Sequence, residues 1–414
     1  MNFTRKLVPA IAAAALSSSA AVQAVDLEVI HWWTSGGEQA AVTVFADEFE
    51  ASTDHNWIDA AIAGGSAARG AALQRMLGGD PPGAAQFNIS RQFEELAEAG
   101  MLLDLSPLAE QEGWYDIIRP SSILEVCEFE GGIYCLPVNI HSWQWAWASI
   151  PAFEQAGVDL PGTLNEFIEV APALQEAGIT PFAIGGEGWQ INGAARVVLL
   201  SQLGKEGYLR FYRDKDPEVA MGPEMAAAIE IFQNMKQYTD DGSANRNWND
   251  TTNLVITHQA GLQIMGDWAR GEFAMAGMEP GVDYACLAGP SEDPYLDTGG
   301  DVFVFPKQSD PEIEAAQFEL ASMMLSPRVQ ALFNNAKGSL PVRDDVDMSI
   351  ADVCMQQGLE ILADPDRIIP PDSMYITEDT RGEMDDLWLE VWNNPNMGVE
   401  NIQQRFANIL ANAD

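Results

Sequence analysis

The chain has 414 residues, and its 62 acidic against 21 basic residues give a formal charge of −41. Domains run to roughly 100–200 residues, so this length predicts two of them, and a 47% hydrophobic content supplies their cores and excludes disorder as the main state. The negative field excludes nucleic acid and anionic membrane surfaces as partners, since both repel it at long range.

Met1–Ala24 reads as a secretory signal peptide. Arg5 and Lys6 precede an apolar run from Leu7 to Leu16, and Val22-Gln23-Ala24 fits the small-x-small cleavage rule. The run is shorter than the ~20 residues a membrane span needs, and no later stretch of that length lacks charge. A soluble, exported chain starting at Val25 follows, with 19 basic against 62 acidic residues and a charge of −43.

Leu27–Trp32 is a β-rich run, followed by the polar turn Thr34–Gly37. Ala41, Phe45 and Phe49 recur at helical spacing and predict a helix. Trp57–Ala63 reads as a second strand. Gly64-Gly65-Ser66 then supplies a turn and an N-cap for a helix over Ala67–Leu77. A Gly/Pro break at 78–83 precedes a third strand ending at Gln86-Phe87-Asn88. Strand and helix alternating in this way predict an α/β fold with a parallel sheet.

The middle reads as mostly helical over Leu164–Ala177, Ala194–Leu203 and Ala226–Tyr238. The strand-like passage Gly132–His141 before it suits a crossing between lobes. Leu262–Trp268 and Val302–Phe305 return to strand character, and the tail from Pro311 is helical. With no repeat and no low-complexity linker, the lobes are expected to interleave. Residues 25–138 plus about 260–305 form one, and 139–259 plus about 306–414 the other.

All four cysteines, Cys127, Cys135, Cys286 and Cys354, lie in the exported part, which allows two disulfides in three connectivities. Cys127 and Cys135 flank the turn Glu130-Gly131-Gly132, where they can face each other across a hairpin, leaving Cys286 with Cys354. The alternative is buried thiols. No CxxC and no close Cys/His pair suggests zinc, and the histidines 31, 55, 141 and 258 lack metal-ligand spacing. Nor is there a GxSxG, HExxH, P-loop or GxGxxG in a strand–turn–helix setting, so no catalytic residue, metal or cofactor is assigned.

The tryptophans say more. Trp32 and Trp33 end the first strand, and ligands of open parallel sheets sit beyond the carboxyl ends of strands. Adjacent residues of an extended chain face opposite sides, so one core cannot take both rings. Trp268 stands in the same relation to the strand before it, and Asp301 follows Gly299-Gly300. Indole faces cover the C–H faces of sugars, while carboxylate, amide and ammonium groups bond their hydroxyls.

At this point the sequence resembles the periplasmic sugar-binding proteins of ABC importers, within the extracellular solute-binding protein family 1, and in particular the glucose/mannose-binding branch. The resemblance spans the mature chain. It rests on Trp32-Trp33-Thr34-Ser35-Gly36-Gly37-Glu38, Gly64-Gly65-Ser66, Pro81-Pro82 before Ala85-Gln86, Pro137–His141, Met265–Phe273 and Lys337–Arg343. It implies the two-lobed periplasmic binding protein fold, each lobe a mostly parallel sheet flanked by helices, with a ligand cleft at the hinge.

Carried over by position, Trp32, Trp33 and Trp268 stack on or flank a pyranose. Glu38, Asp301 and Lys337 bond its hydroxyls, and Gln86, Asn88 and His141 complete the ring. Alternatively, Lys337 is a solvated lysine, Glu38 complements a helix dipole, and His141 is a satisfied interior histidine. Relatives carry a cationic or imidazole group where Asn88 stands and a histidine near Ser373-Met374-Tyr375, and this chain has neither. The expected function is a monomeric periplasmic receptor delivering a hexose such as glucose or mannose to an ABC permease. A disaccharide, glycoside or polyol receptor and a secreted carbohydrate-active enzyme are the alternatives.

Overall fold

The computed structural model describes residues 24–413. The signal-peptide assignment lies outside the described residues apart from Ala24. In chain order, β1 (Asp26–His31), α1 (Gly36–Ser52), β2 (Asn56–Ala61), α2 (Gly65–Gly78) and β3 (Ala84–Asn88) alternate as expected. Then come β4 (Leu136–Pro137), β5 (Trp145–Ser149), α3 (Leu164–Glu176), β6 (Thr180–Ala183), α4 (Gly188–Tyr212), α5 (Pro223–Lys236) and β7 (Ala260–Ile264). The chain continues with α6 (Ala269–Met275), β8 (Tyr284–Ala288), β9 (Asp301–Val304), α7 (Pro311–Leu325) and α8 (Pro327–Lys337). It ends in α9 (Val353–Leu362), α10 (Glu378–Asn393) and α11 (Val399–Asn412).

Two sheets define two lobes. The first has the order β2-β1-β3-β9-β4, with β2, β1 and β3 parallel and β9 antiparallel to both of its neighbours. The second has the order β8-β5-β7-β6, with only β6 and β7 parallel. The second lobe is thus mainly antiparallel, not mostly parallel.

Pairing also redraws the expected lobe boundaries. β7 hydrogen-bonds β5 and β6, so 260–264 belongs to the second lobe. Helices α7 and α8 belong with the first, because Gln317 of α7 donates to the Gly83 carbonyl beside β3 and Phe333 of α8 stacks on Phe45 of α1 at 4.0 Å. The tail returns to the second lobe, where Trp388 of α10 packs against Phe232 of α5 and Phe406 of α11.

Each element follows from local chemistry. Ser35 caps α1 in a capping box, its hydroxyl accepting from Glu38 N while the Glu38 carboxylate accepts from Ser35 N. Helix α2 departs from the expectation: its cap is Gly64 at φ 88°, not Ser66, and no side chain bonds its first turn. A left-handed residue there needs no Cβ clearance, so glycine outcompetes serine. Strand β5 alternates, with Ala146 and Ala148 in the core of the second lobe while Trp147 faces Phe273 of α6 and Tyr284 and stacks on Trp145.

Both expected disulfides are present, Cys127–Cys135 closing the hairpin with Cα atoms 5.0 Å apart and Cys286–Cys354 tying β8 to α9 at 5.8 Å. No helix among the described residues is long and apolar enough to cross a membrane.

Candidate functional site

Three segments pass between the lobes near the site: 137–145 leaves the first sheet for the second, 264–269 leaves β7, and 288–301 returns to the first. Each delivers one member of a buried chain of charge. His141 Nδ1 lies 2.5 Å from Asp267 Oδ1, and His141 Nε2 lies 3.1 Å from Asp301 Oδ2. Asp301 also accepts from Gln86 Nε2 at 2.9 Å and Asn139 Nδ2 at 2.9 Å, while its own amide donates to Asn139 Oδ1.

Burial alone would push the His141 pKa down, but the adjoining Asp267 and Asp301 carboxylates raise it. The reverse holds for Asp301. Its burial favours the neutral acid, yet hydrogen bonding and charge from His141, with help from Lys337 and Asn139, hold it near 2. The floor of the cleft is therefore a buried carboxylate–imidazole–carboxylate chain held together by its own hydrogen bonds. Gln86 extends it to the edge of the first lobe, its Oε1 accepting from the Trp32 backbone N–H at 3.0 Å.

Aromatic rings wall the second lobe. Trp268 meets His141 edge-on at 5.0 Å, and Trp143 meets Trp268 at 4.9 Å with planes 89° apart. Trp189, at the start of α4, continues the surface outward, 5.7 Å from Trp143 and 6.4 Å from Trp268. Two rings rest on glycine backbone. A methyl carbon on Gly266 would lie 2.5 Å from Trp268 Cε3, and one on Gly193 would lie 2.5 Å from Trp143 Cε3, with other ring carbons nearer still. Any Cβ at either place would evict the ring above it.

On the first lobe the expected residues divide. Trp32 is partly exposed, with the Arg69 guanidinium 5.4 Å from its ring centre, and Asn88 is exposed at the end of β3. Trp33 departs from the expectation of a stacking ring. It is 1% exposed, enclosed by Phe45, Phe303 and Phe333, because its side chain points opposite to that of Trp32.

Glu38 and Lys337 are also turned inward. The Glu38 carboxylate serves the α1 cap and lies 3.5 Å from Lys337 Nζ. Lys337 sits at the end of α8 behind the floor and acts on Asp301 through space. The cleft therefore gathers Trp32, Gln86, Asn88, His141, Trp268 and Asp301. Trp33, Glu38 and Lys337 support it from behind.

Sequence reasoning missed Trp143, Trp189, Asp267, Asn139 and Arg69 as members. Asn139 and Asp267 lay inside recognised motifs, and Trp143 follows His141 by two residues in the same crossing segment, so position could have found them. Arg69 and Trp189 carry no such signal. Arg69 also answers a departure noted in the sequence: its Nη1 donates to Asn88 Oδ1 at 2.9 Å, bringing a cation from α2 to the position where the resemblance leads to the expectation of a cationic or imidazole group.

Two lobes interleaved in sequence, with a polar floor at their crossings and ring-lined walls, define the two-lobed periplasmic binding protein fold. Solved structures agree. A bacterial solute receptor described as having an exclusive preference for β-D-galactopyranose superposes with a TM-score of 0.77 at 15% identity, covering 93% of this chain and 98% of its own. A chitin oligosaccharide binding protein gives 0.74 at 18% identity, covering 94% and 98%.

The model of the bacterial extracellular solute-binding protein family matches residues 33–331, and the chain belongs to that family. A "probable sugar-binding periplasmic protein" of Rhizobium meliloti is 36% identical over 357 residues, 86% of this chain and 85% of its own length. A xylose/arabinose-binding protein of Haloferax volcanii is 25% identical over 338 residues, 78% and 71% of the two lengths.

Proposed function

We propose that the protein is the periplasmic receptor of an ABC importer, which binds a sugar between its lobes and hands it to the permease as a monomer. One observation carries this reading. The Asp267–His141–Asp301 floor holds buried carboxylates in place through His141, Asn139 and Gln86 and lies beside partly exposed indoles, an arrangement suited to a ligand with hydroxyl edges and C–H faces. The names borne by relatives point the same way. The action is binding and closure: a ligand that touches both lobes favours the closed form by its differential affinity.

The first ligand to test is a single hexose such as glucose or mannose, with its ring against Trp268 and its hydroxyls over Asp301 and His141. A disaccharide or glycoside is the second reading. Trp189, 41% exposed, favours it by extending the aromatic surface outward from Trp268. Thermal shift against glucose, galactose, mannose, xylose and common disaccharides, followed by calorimetric titration, separates the two. Trp268→Ala and Asp301→Ala are each expected to remove most of the affinity. Unchanged titration curves for both variants place the pocket elsewhere.

A further inference from the structure

Arginine is scarce in this chain and, among the described residues, is almost always neutralised. Arg75, Arg91, Arg196, Arg210, Arg213, Arg246, Arg270, Arg328, Arg343, Arg381 and Arg405 each have a carboxylate within ion-pair distance. Arg119 has none but donates to the backbone carbonyls of Tyr115, Asp116 and Ile118, and Arg367 donates to that of Pro294.

Arg69 differs. Its one hydrogen bond among the described residues goes to a neutral amide, Asn88 Oδ1, and it is half-buried at the cleft. A guanidinium carries five N–H donors in a planar fork, so most of this one's capacity is unspent. Burial pushes its pKa down, the mark of a cation held where water is scarce.

The position is built. A methyl carbon on Gly65 would lie 3.1 Å from Arg69 Nη1 and 3.5 Å from the Trp32 ring, so the residue opening α2 leaves room for both groups. The charges that act on Arg69 come from both sides of the cleft. Glu378 and Arg381 belong to α10 of the second lobe, and Asp301 belongs to the floor. A group felt from both lobes, with free donors in a fork, is placed to read a ligand lying between them.

We propose that Arg69 is the specificity-determining residue of the cleft, and that it takes two adjacent oxygen atoms of one saccharide with its guanidinium fork. This deepens the sugar-receptor reading and rests on it. Two kinds of saccharide present such a pair: vicinal hydroxyls on a neutral sugar, or the carboxylate of a uronic acid. Asn88 holds one arm of the fork and fixes the plane in which the others point. Lysine in its place keeps the charge but offers a single point of contact.

The test is calorimetric titration of the unaltered mature chain and of Arg69→Lys and Arg69→Ala. The probes are glucose, galactose, mannose, xylose, glucuronate and galacturonate, and the deoxy analogues of whichever neutral sugar binds tightest. Both variants are expected to weaken the preferred sugar by about tenfold or more and to change the order of affinities across the panel. Deoxygenation at the read hydroxyls should weaken binding to the unaltered protein but not to Arg69→Ala. If the preferred ligand is a uronate, the loss in both variants falls on the two uronates above the neutral sugars.

An equal loss for every sugar, with the order preserved, overturns the proposal and leaves the sugar reading standing. So does no loss at all. If the unaltered chain binds no saccharide in the panel, the sugar reading falls and takes this one with it.

Discussion

The bed of Trp268 offers a way to disturb the cleft without removing any of its functional groups. Gly266→Ala puts a methyl carbon 2.5 Å from Trp268 Cε3 and nearer to Cζ3 and Cη2. Carbon atoms rest about 3.5–4.0 Å apart, so the ring must retreat by at least about 1 Å. Forcing a side chain aside in this way costs roughly 1–3 kcal/mol of stability. At about 2–4 °C per kcal/mol for a domain of this size, the melting point should fall by several degrees.

The ligand effect is separate. A sugar face on an indole covers on the order of 70 Å², worth about 2 kcal/mol at 25 cal/mol per Å². Losing half or more of that contact weakens binding roughly five- to thirtyfold. Gly382→Ala is the control: this glycine lies within α10 with nothing within 4 Å of an added methyl, so alanine should stabilise by about 0.5–1 kcal/mol and leave binding alone. Thermal melts and titration of both variants with the best sugar decide the matter. A Gly266→Ala protein that binds its sugar as the parent does would refute the placement of Trp268 against the ligand.

Two further outcomes follow from the fold. Replacing Cys286 and Cys354 by serine, which opens a 68-residue loop, should cost roughly 4 kcal/mol, against roughly 2.5 kcal/mol for the 8-residue loop of Cys127 and Cys135. Urea unfolding of the two double variants checks the order, and a larger loss from the short loop would contradict it. Asp297 accepts from Ser142 Oγ and Trp143 N, but its burial, with Asp372 and Asp267 nearby, raises its pKa to about 6. The folded chain then holds a proton that the unfolded chain releases near pH 4, so this group's contribution to stability falls as pH rises from about 4 to 6. Asp297→Asn keeps the acceptor oxygen, should flatten that slope and should gain roughly 1–3 kcal/mol at pH 7, read as urea midpoints across pH. Identical slopes in parent and variant would contradict it.

Much of the first lobe was legible because its signals are local. The Val/Ile-rich β1, the 3.6-residue spacing of Ala41, Phe45 and Phe49, and the Gly/Pro break before β3 each speak for themselves. The second sheet was harder to read. Strand β5 is Trp-Ala-Trp-Ala-Ser and β8 is Tyr-Ala-Cys-Leu-Ala, and alanine gives neither a β-branched nor a turn signal. Lobe membership failed for a related reason: pairing of Ala260–Ile264 with residues more than a hundred positions earlier is a long-range fact.

In the site, His141 and Asp301 were readable because they sit at crossings, and Asp267 lay unassigned inside a motif at another. Arg69 and Trp189 were not, since each lies on a helix face whose outlook depends on where the other lobe stands. Trp33 shows the limit of carrying a role over by position. The alternation argument required the two adjacent rings to part company, and it, not the resemblance, described the outcome.

Floor and walls therefore play different parts in the binding-and-closure reading. His141, Asp267 and Asp301 come from the three crossing segments, where a hinge moves least, and are hydrogen-bonded to one another. They can stay together whether the cleft is open or closed, so they contribute affinity without choosing between the two forms. The walls are different. Trp32 and Arg69 ride on the first lobe and Trp189 on the second, while Trp143 and Trp268 link Trp189 to the crossings. Only a ligand that reaches both gains more from the closed form than from the open one, and that difference is all that can drive closure. Removing His141 takes the shared partner from two buried carboxylates, so affinity and stability fall together. Removing an exposed wall ring such as Trp189 strands nothing, so affinity falls alone.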